Sequence, residues 1–300
     1  MKKVLLGVLI LLFSASFATP AMSQDFWAVI CGISDYKSVN DLTYCDNDAM
    51  DIYNKCIEYE TPKKHIKLLI DKKAKKKKIK KACKWMKKKA EPGDVCLFYF
   101  SGHGTSDLDV YPIDEADGYD EYICPWDTKP TDFSKDIRDD TLDEWLTPIT
   151  EKGADVVVIL DTCFAGGAIK QKVNINGKET EVLVKTLQGV PYNKLTDGFA
   201  KDLDKSGFVV LTACDDDEVS WESPLFQNSY FTYHLNLAST GLADIGLTTG
   251  DGDGEISAEE LFDAAIALDN QLYDVMEGTE KQNPQLYDGV GGEAEMFVME

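Results

Sequence analysis

Four short, mostly apolar runs, Phe26–Ile33, Val95–Phe100, Asp155–Leu160 and Phe208–Thr212, recur along the chain with helix-spaced segments between them. Runs this short that are apolar at successive positions read as strands covered on both faces, the pattern of a buried parallel sheet. Ile66–Ile70 and Glu295–Met299 read as further strands. Between them, Asp46–Tyr59 repeats apolar residues at Ala49, Ile52, Tyr53, Cys56 and Ile57, which is helical spacing. Lys72–Lys89 places Ile79, Ala82, Cys83 and Met86 on one face, and Asp139–Ile149, Ser229–Ala238 and Ser257–Leu268 also read as helices. Strands alternating with helices predict an α/β sandwich around a mostly parallel sheet.

With 300 residues, 44% of them hydrophobic, the chain can bury a substantial core. Lys2 and Lys3, an apolar stretch over Val4–Phe13 and small residues through Ala21 and Ser23 read as a secretory signal cleaved near Ser23/Gln24. A secreted or periplasmic location follows as an expectation, with no stable membrane insertion after signal removal. The apolar stretch is short for a membrane span. The formal net charge of −22 argues against bulk nucleic-acid binding and favours cationic substrates. Twelve lysines fall between Lys72 and Lys89, and around the apolar stripe they read as a solvated helix face. The eight cysteines form no CxxC pair and no zinc-like cluster.

Ligands of open α/β sheets bind beyond the carboxyl ends of the strands. Two reactive side chains stand there. His103 sits between Gly102 and Gly104 after one buried strand, and Cys163 precedes Ala165-Gly166-Gly167 after another. A thiol nucleophile needs a nearby base, and two adjacent strands would bring this pair within reach. His65 and His234 read as surface or core residues.

The surrounding residues carry a family resemblance. Tyr99-Phe100-Ser101-Gly102-His103-Gly104-Thr105, then Asp117–Pro125, then Leu160-Asp161-Thr162-Cys163-Phe164-Ala165-Gly166-Gly167 resemble the metacaspases, caspase-like cysteine peptidases. Leu42–Asp48, Leu211–Asp217 and Ser229–Leu235 are similar to further family segments, in order from about residue 26 onward. The resemblance implies a caspase-like α/β/α sandwich with a mostly parallel central sheet of about six strands. After the signal (1–23), residues 168–206 break the strand–helix rhythm, being polar and lysine-bearing, and read as a long surface insertion with processing sites; the resemblance makes residues 24–167 the large-subunit-like part and 207–300 the small-subunit-like part. It implies a Cys163–His103 dyad, an oxyanion hole from the backbone N–H groups of Gly104 and Cys163, and cleavage after Arg or Lys. Cys45, Asp48, Ser101 and Asp161 match the first-subsite positions, and carboxylates suit a cationic side chain. Asp217, Trp221 and Glu222 lie in a segment expected near further substrate sites. Exposed lysines in the insertion and in the lysine-rich helix predict self-cleavage.

No cofactor is required by this chemistry. The family trait of calcium binding maps onto Asp120, Asp139 and Asp140, with Lys170 standing where a further aspartate is usual. A second acidic stretch imitates an EF-hand loop through Asp251, Asp253 and Glu260, but Thr249 takes its first ligand position. There, Ser257 and Glu260 equally read as a helix capping box. Two other readings stay open: a non-catalytic caspase-like scaffold, and a clostripain- or gingipain-like peptidase.

Overall fold

The computed structural model describes residues 24–110, 113, 118–163, 170–175, 178–185, 187, 199, 203, 206–215, 218–245, 248–273, 276–277, 281–291 and 293–299. The expected signal segment and Asp217 lie outside the described residues, as does the side chain of Lys170. In chain order the strands are β1 (Phe26–Gly32), β2 (Ile66–Ile70), β3 (Val95–Ser101), β4 (Gly104–Leu108), β5 (Tyr119–Ile123), β6 (Ile137–Arg138), β7 (Asp155–Asp161), β8 (Lys170–Ile175) and β9 (Lys178–Val184). They continue with β10 (Val209–Thr212), β11 (Trp221–Ser223), β12 (Asn228–Ser229), β13 (Glu255–Ser257), β14 (Met276–Glu277), β15 (Gln285–Asp288) and β16 (Glu295–Val298). The helices are α1 (Cys45–Glu58), α2 (Lys76–Lys89), α3 (Asp139–Thr150), α4 (Tyr230–Ala238) and α5 (Ala258–Tyr273).

The central sheet has six strands in the order β15-β10-β7-β3-β1-β2. Every pairing in it is parallel except β10 with the edge strand β15. Successive residues of the inner strands face opposite ways, as a pleated strand requires. Val29, Cys31, Cys96, Phe98, Phe100, Val156, Val158 and Leu160 join one buried cluster, under α2 and α3. Ala28, Ile30, Leu97, Tyr99, Val157 and Ile159 join the other, under α1, α4 and α5. Apolar residues at every position are thus the consequence of helices on both faces. Close packing of α1 on β1 depends on Gly32, where a Cβ would come within 2.2 Å of the Cys45 carbonyl oxygen.

Three elements differ from the sequence expectation. Glu295–Val298 is a strand, but it pairs antiparallel with β13 in a separate ribbon, and the sixth sheet position goes to β15. Residues 119–123 and 104–108 form an antiparallel pair that follows the third strand directly. The 168–206 segment, expected as a polar surface insertion, contributes the hairpin β8–β9 to a five-stranded sheet ordered β12-β11-β9-β8-β14. All eight cysteines are free thiols and buried. Burial pushes the thiols of Cys56, Cys83 and Cys96 up to about 12, which leaves them unreactive.

Candidate active site

Parallel register sets the site. Ser101, the last residue of β3, is the partner of Asp161, the last residue of β7. His103 and Cys163 each follow two residues later, so adjacent strands deliver them to one sheet edge. The Gly102 N–H donates to the Asp161 carbonyl at 3.3 Å, tying the two exits together.

His103 is held at three points. Its backbone N–H donates to the Tyr36 hydroxyl at 2.8 Å, its carbonyl accepts from the Cys124 N–H at 2.9 Å, and its Nε2 lies 2.8 Å from the Asn40 carbonyl oxygen. A carbonyl only accepts, so Nε2 carries the hydrogen and Nδ1 is left as a base lone pair. Among the described residues Nδ1 is buried without a hydrogen-bond partner. Burial lowers the imidazole to about 4, with the nearby Lys185 ammonium adding to the effect and the Asn40 carbonyl opposing it. The ring is therefore neutral at physiological pH. Gly102 keeps this support in place: a Cβ there would lie 2.6 Å from the Tyr36 hydroxyl.

The four positions expected to form a first subsite, Cys45, Asp48, Ser101 and Asp161, come together in a buried acidic pocket. Asp48, in the first turn of α1, accepts from the Ser101 hydroxyl at 2.7 Å, from the Ser229 N–H at 2.9 Å and from the Asn228 amide at 3.1 Å. Asp161 accepts from the Ser220 hydroxyl at 3.0 Å, from the Thr232 hydroxyl at 2.6 Å and from the Ser229 hydroxyl. Cys45 donates its thiol to Glu222 at 3.4 Å, and that carboxylate also accepts the N–H groups of Thr43 and Tyr44. Glu222 thus anchors the start of α1, an assignment the sequence leaves open.

One residue of the pocket is absent from the sequence reading. The side chain of Lys185, immediately after β9, is fully buried in this pocket. Its ammonium donates to Asp161 Oδ1 at 2.6 Å, the Asp161 carbonyl at 3.0 Å, Ser101 Oγ at 2.9 Å and Asp48 Oδ2 at 3.3 Å. The Cys163 thiol lies 2.6 Å from the carbonyl oxygen of the same lysine. With a C=O bond of about 1.2 Å, the sulfur is within about 3.8 Å of the carbonyl carbon. Burial opposes charge on Lys185, but Asp161, Cys45, Asp48 and Glu222 outweigh it and hold the ammonium well above its ordinary value. The available sequence signal was the apolar run Val182-Leu183-Val184 ending on a lysine within an otherwise polar segment.

The two candidate metal clusters have different fates. Ligand oxygens of Asp120, Asp139 and Asp140 lie within 4.8 Å of one another, an all-oxygen donor set that suits calcium. Arg138 already pairs with Asp120 at 3.2 Å and with Asp140 at 2.7 Å. In the second stretch, Asp251 and Asp253 gather with Asp244, not with Glu260. Glu260 accepts the Ser257 N–H at 3.1 Å while its own N–H donates to Ser257 Oγ at 3.1 Å, the capping box. Its other oxygen accepts the Asp251 N–H. His65 stacks on Trp27 and His234 contacts Asp269, both inside the body of the protein.

A Caspase domain model, of peptidase family C14, matches residues 25–287. Metacaspase-1 of Schizosaccharomyces pombe is 31% identical over 151 residues, 47% of this chain and 34% of that protein. Metacaspase-3 of Arabidopsis thaliana is 29% identical over 213 residues, 66% of this chain and 54% of that protein. The chain thus spans between a third and about half of the length of these relatives. A crystal structure of a Geobacter sulfurreducens protein covers 92% of the chain with a TM-score of 0.60 at 18% identity, a likeness of fold.

Proposed function

Because the chain belongs to the caspase-domain family of cysteine-type peptidases, we propose that it is an endopeptidase that cuts after lysine or arginine and that its first substrate is its own Lys185–Thr186 bond. The observation that carries this reading is Lys185 itself, whose ammonium fills the acidic pocket while its carbonyl lies against the Cys163 thiol. A side chain that fits the pocket and a peptide carbonyl beside the nucleophile are the two requirements of a bound substrate.

In this mechanism Nδ1 of neutral His103 takes the thiol proton and the Cys163 sulfur attacks the lysine carbonyl carbon. The backbone N–H groups of Gly104 and Cys163 receive the developing oxyanion. His103 then returns the proton to the departing amine of the next residue, leaving a thioester between Cys163 and the lysine acyl group. Water, deprotonated by the same imidazole, hydrolyses the thioester and restores the thiol. The pocket carboxylates supply specificity, since charge-assisted hydrogen bonds contribute about 1.5–3 kcal/mol each. Asp120, Asp139 and Asp140 are proposed as ligands that would hold a calcium ion, which would compete with Arg138 for the carboxylates.

Fluorogenic peptides ending in Lys, Arg or Asp test the specificity, and mass spectrometry of the purified chain tests the self-cut. Expected are cleavage of the Lys and Arg peptides, a fragment ending at Lys185, and loss of both in Cys163→Ala. Cleavage of the Asp peptide alone would overturn the pocket assignment. An intact wild-type chain that still cleaves Lys peptides would remove only the self-cleavage.

A further inference from the structure

We propose that cutting the Lys185–Thr186 bond leaves the active centre closed, because the hairpin that ends at Lys185 persists as a tethered competitive inhibitor of the cut enzyme. The proposal rests on the peptidase reading above and concerns the regulation of that same site.

The contacts that seat Lys185 do not depend on the bond that follows it. Strand β9 lies inside its sheet, hydrogen-bonded to β11 on one side and to β8 on the other. On the β11 side Val184 is the partner of Trp221 and Leu183 of Glu222, and the Lys185 N–H donates to the Ser220 carbonyl at 3.0 Å. On the β8 side six residue pairs run from Ile175↔Lys178 to Lys170↔Leu183. Strand β8 is covered in turn by β14 through Met276↔Ile175 and Glu277↔Asn174. Val182 and Val184, both fully buried, pack with Trp221 and Tyr230 in a cluster of their own. Beyond the bond, Leu187 is buried in the main core cluster. Hydrolysis converts the Lys185 carbonyl to a carboxylate and frees an amine, but every one of these pairings survives it.

The cut state is thus a product complex whose product cannot diffuse away. The strand stays covalently linked through β8 to the segment that begins at Cys163, so the pocket sees it at an effective concentration of order millimolar. A substrate in trans must displace the β9 edge from β11 before its own lysine can enter. Exchange of one antiparallel strand for another on β11 then becomes the gate, separate from the cut.

Kinetics of the fully self-cut protein test this. The comparison variant is Val184→Asp, which puts a carboxylate where β9 packs on Trp221 and Tyr230, and so disfavours the seated hairpin without altering the pocket. Expected is an apparent KM for a Lys-ending peptide about tenfold lower in Val184→Asp than in cut wild type, with kcat retained. A gain in affinity cannot come from misfolding. Hydrogen exchange of cut wild type gives a second readout, in which residues 178–184 stay as protected after the cut as in Cys163→Ala. Equal KM values in active cut wild type and Val184→Asp, or loss of protection on cutting, overturn the proposal while the peptidase reading stands. Failure of both forms to cleave any Lys or Arg peptide overturns the reading and the proposal with it.

Discussion

Asp48 and Asp161 bind the same lysine ammonium, yet their carboxyls are shifted in opposite directions. Burial pushes both upward, but at Asp161 the Lys185 ammonium and the hydroxyls of Ser229 and Thr232 prevail and hold the carboxyl below its ordinary value. At Asp48 burial wins, with Asp161 and Glu222 as like charges, and the carboxyl rises to about 6 even though Lys185 pulls it down. Asp161 is therefore the permanent anion of the pocket and Asp48 the one that titrates. A cation entering the pocket lowers the Asp48 value, so binding releases a proton and affinity rises with pH. In a vacated pocket the carboxyl lies above its occupied value of about 6, because the lysine's downward pull is gone. For peptide substrates ending in lysine, KM is expected to fall about tenfold between pH 5.5 and 8 in the wild type. In Asp48→Asn the same plot of KM against pH should be nearly flat. A variant that keeps the full wild-type slope would assign the titration elsewhere.

At the scale of elements, the acidic cluster joins β5, which carries Asp120, to the first turn of α3, which carries Asp139 and Asp140. Two causes put acids there: a helix start favours negative charge, and an all-oxygen set favours a hard cation. Arg138, at the end of β6, supplies the positive charge from within the chain. Removing that competitor frees two carboxylates for an ion. Calorimetric titration with calcium is expected to give at least about tenfold tighter binding to Arg138→Gln than to wild type. Equal heats in the two proteins would mean that Arg138 and calcium do not share the site.

The whole molecule carries a formal charge of −22, and several carboxyls titrate above their usual range. Burial raises Asp136 to about 7, and burial with surrounding acids raises Glu295 to about 7. Together with Asp48, these groups bind protons more tightly in the folded state than in the unfolded one. Their contribution is present at acid pH and is lost as pH rises through about 6 to 7. His103 has the opposite sign, since its lowered value means that stability falls as pH drops from 6.5 toward 4. Asp48 and Asp136, with Glu295 discounted for its exposure, outweigh the one lowered imidazole. Smaller upward shifts at Asp155, Glu222, Glu259 and Asp269 act in the same direction and leave a net loss toward alkaline pH. The Tm in low salt is expected to be higher at pH 5.5 than at pH 8, with added salt recovering part of the difference by screening. A Tm that rises steadily to pH 8 would assign the dominant linkage to other groups.

The central sheet and its flanking helices were legible in the sequence because burial on both faces leaves a local mark, a run of successive apolar residues through the middle of β1, β3, β7 and β10. The strand ends were legible for the same reason: His103 and Cys163 stand where those marks stop. The edge strand β2 is still legible as the apolar run Ile66–Ile70, but β15, with the half-polar sequence Gln285–Asp288, leaves no such mark, and nothing local in Glu295–Val298 names its partner. Pairing across distance is the other blind spot. Nothing local in Val182-Leu183-Val184-Lys185 says that β11 lies beside it, or that Asp48 and Asp161, at opposite ends of the large part, converge on its ammonium. The sequence by itself determined the layered α/β fold and the two strand-end candidates for nucleophile and base, since each depends on residue type and short spacing, whereas the pocket positions came from the family resemblance. Only the tertiary structure decided what occupies that pocket, because a buried lysine among carboxylates is stable only where the chain brings all the charges together.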